Sequence, residues 1–362
     1  MDLIEIKSNL KDNLKSFLGY PCNIAYDYSE VTDFFNYHLN NVGSPYISGS
    51  YKANTKDIEL EVIKYFANLW KISYEDLCGY ITNGGTEGNL QGLFIGREYL
   101  GEGTIFYTSL SSHYSIFKIA KMLKLDIHVV LTHSNGEMNY EDFEDLLIQN
   151  IDKPALINVN FGTTMTSAID NPREIFRILD KHGKASKGKY YIHADGALMG
   201  FCLPFLERDI YFKKHINSMS ISGHKFLGIP FPCGVFMMEK PFMSLVHNNI
   251  EYIQSNDCTI SGSRNGHSAI FFKYIFEKKT LMDFQKDIEN CLMLAEYLVD
   301  KIPNAWRNHN SFTVVLDRPS DSLVNKWQLA VQGDIAHVII MQHITKKQID
   351  LFIEDYLKDI HK

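Results

Sequence analysis

Two spacings of apolar residues alternate along the middle of this chain. Short β-rich runs fall at 79–82, 104–108, 127–131, 155–160, 190–194, 219–222 and 234–238. Between several of them the apolar positions take helical spacing, at 86–99, 112–123, 141–149 and 171–183. Strands that alternate with helices predict an α/β fold with a mainly parallel sheet of seven strands, covered on both faces.

The two ends read differently. The first fifty residues mix a short helical stretch with Gly, Pro, Asn and Tyr, as in Asn41-Val42-Gly43-Ser44-Pro45-Tyr46. That pattern suits an arm lying on a surface. Residues 58–70 then carry Val62, Ile63, Phe66, Ala67 and Trp70 at helical spacing. Beyond residue 265 an amphipathic helix (Phe284, Ile288, Cys291, Leu292, Ala295, Leu298, Val299, Ile302) leads to strands at 311–316 and 337–341, and to a last helix near 347–358. The expected organisation is an arm over 1–50, a large sheet domain over 51–264 and a small α+β domain over 265–362.

Composition narrows the function classes. A chain of 362 residues with 45% hydrophobic and 22% charged positions is neither disordered nor one simple core. Its net charge of -7 gives no electrostatic footprint for nucleic acid or an anionic membrane. No apolar run approaches the ~18 residues of a membrane span, and the start, Met1-Asp2-Leu3-Ile4-Glu5, lacks the pattern of a signal peptide. A cytoplasmic protein with neither nucleic-acid nor membrane partners is expected. The cysteines (Cys22, Cys78, Cys202, Cys233, Cys258, Cys291) form no CxxC pair, so no zinc site or disulfide scaffold is expected. They read as small buried hydrophobes.

In open α/β sheets ligands bind beyond the carboxyl ends of the strands, and several such ends carry polar motifs. The first ends in Asn83-Gly84-Gly85-Thr86-Glu87-Gly88-Asn89 before a helix. Gly84, Gly85 and Thr86 there offer backbone N–H groups, a positive dipole end and a hydroxyl to an anion. A tight turn alone would use the same residues. The second is followed by Ser112-His113-Tyr114, where His113 could stack on a planar ligand, move a proton or cap the helix. The fourth leads to Gly162 and Thr163, a turn with a hydroxyl that can reach a crevice. The fifth leads to His193-Ala194-Asp195-Gly196-Ala197. A carboxylate at that place needs a cation or strong donors; Gly196 and Ala197 leave room for a flat ring. The sixth leads to Ser222-Gly223-His224-Lys225. Lys225 among small and apolar neighbours has the setting that lowers an ammonium pKa and frees the amine for a Schiff base; pairing with a carboxylate is the competing reading. Anion cradle, stacking histidine, acidic partner for a ring nitrogen and Schiff-base lysine together match the needs of pyridoxal 5'-phosphate.

NGGTEGN, SSHYSIFKIAK, NVNFGTT, IHADGAL, SGHKFLG, PCGV and TISGSRNGH resemble the group II pyridoxal-phosphate-dependent amino-acid decarboxylases. Within them the chain is most similar to the short bacterial histidine decarboxylases and the plant serine decarboxylases, from about Gly19 to near the C-terminus. The resemblance implies the aspartate-aminotransferase-like fold (type I) and a homodimer with shared active sites. It implies Lys225 as the Schiff-base lysine, Asp195 as partner of the pyridine nitrogen and His113 as the stacking residue, with Ala197 packed beneath the ring. Ser222 and His224 match phosphate-contacting positions. Ser261 and Ser263 lie in the segment expected to reach the neighbouring subunit's phosphate. Tyr252, in Asn249-Ile250-Glu251-Tyr252-Ile253, is the matching proton donor to the substrate carbanion, with interface packing as its alternative role.

Substrate motifs pull two ways. TISGSRNGH and NAWRN resemble the histidine enzymes, whereas NNVGSPYISGSY and RPSDSLVNKWQLA lean toward the serine enzymes. Tyr46, Ser48 and Tyr51 of the arm are expected to contribute to the pocket. The expected reaction is decarboxylation of an L-amino acid, L-histidine first and L-serine second. Two further readings stay open. An aminotransferase would hold the α-carboxylate with an arginine, for which Arg264 and Arg307 are the candidates. A catalytically dead scaffold would have lost Lys225 or Asp195, and both are present.

Overall fold

The computed structural model describes residues 2–206, 210, 212 and 213–360. Seven strands, β1 (Leu77–Thr82), β2 (Ile105–Ser109), β3 (Asp126–Val130), β4 (Ala155–Asn160), β5 (Tyr190–Asp195), β6 (Ser218–Ser222) and β7 (Gly234–Glu239), form one sheet in the order β1-β7-β6-β5-β4-β2-β3. All seven runs read from the sequence are strands, with no end moved by more than two residues. Neighbours from β6 to β3 pair in parallel, while β7 pairs antiparallel with both β6 and β1. The reversal has a local cause. No helix separates β6 from β7, so the chain returns beside the strand it has just left.

Helices occupy both faces. α1 (Leu3–Asn13) and α2 (Lys56–Leu69) precede the sheet; α3 (Gly85–Leu100), α4 (Tyr114–Met122), α5 (Tyr140–Gln149), α6 (Pro172–Lys181) and the short α7 (Leu203–Leu206) connect its strands. Strand residues alternate between two cores, as a period of two requires. Ile81, Tyr107, Ile157, Ile192 and Ile221 join the large core shared with α2. Tyr80, Phe106, Leu156, Tyr191 and Phe236 join the second, beneath α3 and α4.

α3 lies unusually close to its strands because of its glycines. A Cβ at Gly88 would sit 2.2 Å from Ser220 Oγ, one at Gly92 2.1 Å from His193 Nδ1, and one at Gly96 2.4 Å from Leu156 Cδ1. Three glycines at four-residue spacing thus remove one side of the helix and bring its backbone onto the sheet.

After β7 comes a hairpin of β8 (Asn248–Ile250) and β9 (Ser255–Asp257), joined through a 3-10 turn at Glu251–Ile253. The arm docks on it: Ser44 N donates to Asn256 O (2.7 Å) and Ser50 N to Ile253 O (3.0 Å). Next are α8 (His267–Lys278), α9 (Leu281–Val299), β10 (Thr313–Asp317), α10 (Asp321–Trp327), β11 (Ala330–Gln332), β12 (Ile335–Ile339) and α11 (Lys346–Ile360). β10, β12 and β11 form an antiparallel three-stranded sheet. The short β11, α8 and α10 do not stand out in the sequence pattern. Among the described residues no helix is long and apolar enough to cross a membrane.

Candidate active site

The carboxyl ends of β1, β2, β5 and β6 converge. Asp195 and Lys225 both act electrostatically on His113, and Asp195 acts on Lys225. Burial holds the Lys225 ammonium below the usual lysine range, with Asp195 opposing the shift. Burial likewise lowers the His113 imidazole, again against Asp195. Burial that weakens an ammonium makes the neutral amine more available as a nucleophile, while the nearby Asp195 carboxylate works the other way. Cys22 of the arm also acts on Lys225, and Asn23 N donates to Lys225 O (3.2 Å), so the arm closes one side of the lysine turn.

Each group is fixed by its element. His113 is the N-cap of α4: its Nδ1 accepts from Ser115 N (3.3 Å) and contacts Ser115 Oγ (2.7 Å). Ser112 beside it belongs to a buried polar cluster with Thr108, Asn158, Asn160 and Asp170, in which Asn160 Nδ2 donates to Ser112 Oγ (3.0 Å) and Asp170 Oδ2 (2.9 Å). Asp195 ends β5 and accepts from Asn89 Nδ2 (2.8 Å) and Ala197 N (3.1 Å). His224 Nδ1 pairs with Cys233 O (3.0 Å), and burial lowers its imidazole.

The glycine loop has the form of an anion cradle. Gly84 takes φ +141°, which L side chains rarely adopt, and faces open space. It starts α3 with no side-chain cap, so the first N–H groups of a sixteen-residue helix lie uncapped. A Cβ on Gly85 would meet Ser222 Oγ at 2.8 Å and Ala197 Cβ at 3.3 Å. The loop, Ser222 and Ala197 therefore touch, with the Thr86 side chain exposed at the rim. Hydroxyl and N–H donors for a phosphate, a carboxylate for a protonated ring nitrogen and an amine for an aldehyde all occur within this cluster. The residues present fit pyridoxal phosphate.

Other sequence-derived residues lie elsewhere. Ser261 Oγ accepts from Asn83 Nδ2 (3.3 Å), beside its own chain's glycine loop, whereas Ser263 Oγ pairs with Asn40 (3.2 Å). The Thr163 hydroxyl is engaged by Ala168 N and Thr166 Oγ1, both at 2.9 Å. Tyr252 stands 86% exposed on the β8–β9 turn, and no hydrogen bond ties it to Lys225, His113 or Asp195 in the single chain. The Tyr46 hydroxyl is spent on Gly79 at the sheet edge, and that of Tyr51 on His38.

Both candidate arginines are committed to other partners. Arg264 forms a buried ion pair with Glu59 and donates to Gly43 O (2.8 Å) and Ile81 O (3.2 Å). Arg307 pairs with Glu296 and donates to Asn308 O and Ser311 O. Among the described residues no group of His, Cys, Asp and Glu is arranged to hold a metal.

Asn89, His193 and Ser218 carry no role in the sequence reading, yet they extend the hydrogen bonding behind Asp195. The signal was present: His193 and Asp195 stand two apart on one strand, and so share a face.

Comparison with known proteins agrees with this geometry. The pyridoxal-dependent decarboxylase conserved domain matches residues 38–324. Serine decarboxylase 3 of Oryza sativa subsp. japonica is 45% identical over 94% of this chain and 77% of its own. A histidine decarboxylase of Vibrio anguillarum is 39% identical over 95% and 90%. Among solved structures, L-methionine decarboxylase from Streptomyces sp. 590 shares the fold, with a TM-score of 0.89 at 23% identity over 99% of this chain and 94% of that one.

Proposed function

Because the chain belongs to the pyridoxal-dependent decarboxylase family, and is thus a carboxy-lyase whose cofactor is pyridoxal 5'-phosphate, we propose that it decarboxylates L-serine to ethanolamine and carbon dioxide. The observation that carries this choice is relatedness. Three rice serine decarboxylases match at 45%, 42% and 42% identity, against 42% for a histidine decarboxylase of Solanum lycopersicum and 38–39% for the bacterial histidine decarboxylases, so the margin rests on the first of them. The sequence pattern alone leans to L-histidine. That second reading keeps two observations in its favour: the Solanum lycopersicum histidine decarboxylase matches at 42% over 99% of this chain, and this chain spans 88–92% of the histidine enzymes but 73–77% of the rice ones.

Bound at the strand ends, the cofactor supplies an electron sink for the pair left when the Cα–carboxylate bond breaks. The rest is assigned to this chain. Lys225 would hold the cofactor's aldehyde through its amine and yield that place to the substrate amine. Asp195 accepts from the ring nitrogen. His113 would stack on the ring, with Ala197 packed against its other face. Gly84, Gly85, Thr86, Ser222 and His224 hold the phosphate, with Ser261 beside the loop. Thr163 lines the crevice, and Ser263 serves a neighbouring subunit. Tyr252 delivers the proton to Cα across the interface of a homodimer, which would account for its exposure in the single chain. In the same reading residues 1–50 form the interface arm, 51–264 the cofactor domain and 265–362 the small domain. With Arg264 and Arg307 engaged internally, neither is assigned to the substrate carboxylate, which favours losing that group over transamination. A cytoplasmic setting completes the proposal; six unpaired cysteines, five of them buried, suit a reducing compartment.

The test is carbon dioxide release by the cofactor-loaded protein across a panel of amino acids, with Lys225→Ala as control. Release from serine supports the proposal. Release from histidine alone overturns the substrate and keeps the reaction. No release from any amino acid, with cofactor bound through Lys225, overturns the catalytic reading.

A further inference from the structure

The Asp195 carboxylate is the last member of a buried row of side chains. Asn89 Nδ2 donates to Asp195 Oδ2 at 2.8 Å, His193 Nε2 lies 3.0 Å from Asn89 Oδ1, and Ser218 Oγ lies 2.8 Å from His193 Nδ1. His193 and Ser218 are fully buried, Asn89 is 2% exposed and Asp195 7%. The chemistry fixes the direction of every bond. A carboxylate only accepts, so Asn89 turns its NH2 to Asp195 and its oxygen to His193. That oxygen also only accepts, so His193 Nε2 carries the hydrogen. Nδ1 is then bare, and the Ser218 hydroxyl donates to it. Four residues thus form a one-way series of donors that ends on Asp195.

The fold makes room for this row. His193 fits only because residue 92 is glycine. Burial holds the imidazole down to about 3, so His193 is neutral at working pH and acts as an oriented dipole. In a low-dielectric interior such bonds polarise one another, and donors to a carboxylate favour its charged form.

We propose that His193 is a positioning residue for Asp195, acting through Asn89 to keep the carboxylate aimed into the cofactor site, so that the proton shared with the cofactor stays on the ring nitrogen. This rests on the assignment of Asp195 as the partner of that nitrogen. Without the row, the carboxylate is free to turn away from that nitrogen, and the ring becomes a weaker electron acceptor.

The experiment loads the protein with pyridoxal phosphate labelled with 15N in the ring and reads that nucleus by NMR, alongside steady-state carbon dioxide release. The wild type is expected at the protonated position. His193→Leu should move the signal toward the unprotonated position and lower kcat by ~3- to 10-fold, the effect of losing one neutral hydrogen bond, the one made to Asn89. KM should change much less. His193→Gln, whose side-chain amide can donate to Asn89 in place of Nε2, should restore most of both. An unmoved signal in His193→Leu, or a His193→Gln protein as impaired as the leucine variant, overturns the proposal. If His193→Leu fails to fold, Ser218→Ala withdraws only the far hydroxyl and should move the signal the same way by less; no movement there also overturns it. Asp195→Asn separates the two levels. A ring nitrogen that stays protonated in that variant removes the assignment of Asp195 itself, and the role of His193 falls with it.

Discussion

Replacing Glu59 with glutamine should weaken the fold severely without touching the chemistry. Glu59 and Arg264 are both buried, their side chains 0% and 1% exposed. The carboxylate accepts from Arg264, from Ile81 N at 2.7 Å on Oε1 and from Asn41 Nδ2 at 2.8 Å on Oε2. Arg264 spans the arm through Gly43 O, β1 through Ile81 O and the ring of Tyr80 at 5.2 Å. Glutamine keeps the shape and removes the charge. It also turns an NH2 toward a position already filled by a donor, a mismatch of ~1–3 kcal/mol. The guanidinium then lacks its counter-ion in a dry site, and breaking such a pair from one side costs ~3–5 kcal/mol in all. Arg264→Met should cost a similar amount, because it strands the carboxylate. The double variant Glu59→Leu/Arg264→Met removes both charges and should cost much less than the sum, a coupling of ~2 kcal/mol or more. Urea unfolding followed by circular dichroism, at one fixed protein concentration, measures all four corners. A Glu59→Gln protein within ~1 kcal/mol of wild type, or costs that simply add, would refute the reasoning. Folded Arg264→Met should also keep its KM; a large rise would return Arg264 to the substrate.

Four further outcomes are expected. Gly84→Ala meets no atom within 4 Å but strains a φ of +141°, so it should weaken cofactor binding through the backbone alone, by ~10-fold at a strain of 1–2 kcal/mol. Gly85→Ala should weaken it more, since its Cβ meets Ser222 Oγ at 2.8 Å; equilibrium dialysis of the cofactor ranks the two. Tyr252→Phe should lower amine formation by ~10²-fold or more with KM nearly unchanged, and an unchanged kcat would leave Tyr252 as packing. Burial pushes the Asp170 carboxyl up to about 6, against ~3.9 in the unfolded chain. A raised carboxyl stabilises fully below the unfolded value, and that stability is lost as pH rises through the folded one, ~3 kcal/mol in all. Asp170→Asn should therefore remove a downward slope of unfolding free energy between about pH 4 and pH 7, and parallel slopes in urea titrations would contradict it.

Six of the seven strands were legible because burial on both faces leaves continuous apolar runs, and the polar residue types cluster where those runs stop; β3, at the sheet edge, is largely exposed or half-buried. The reversed direction of β7 was not legible as a pattern, since a buried strand looks the same in either direction. Ser261 stands out in the sequence as a candidate, but its contact with Asn83 of the same chain depends on how residues beyond β9 fold back over the glycine loop. Arg264 shows the opposite case. Its position beside a site motif invited a substrate role, and only packing reveals that Glu59, about two hundred residues earlier in the chain, has claimed it.

The sequence by itself determined the strand–helix alternation, the cofactor chemistry and the residues at the strand ends. These follow from local periodicity and from the narrow set of side chains that can hold an anion, a ring nitrogen and an aldehyde. Tertiary structure alone decided which groups meet. It joined Asn89, His193 and Ser218 behind Asp195, locked Arg264 to Glu59 and set Cys22 beside Lys225. Those contacts cross tens to hundreds of residues, and their energies come from burial and hydrogen-bond direction, which no local spacing encodes.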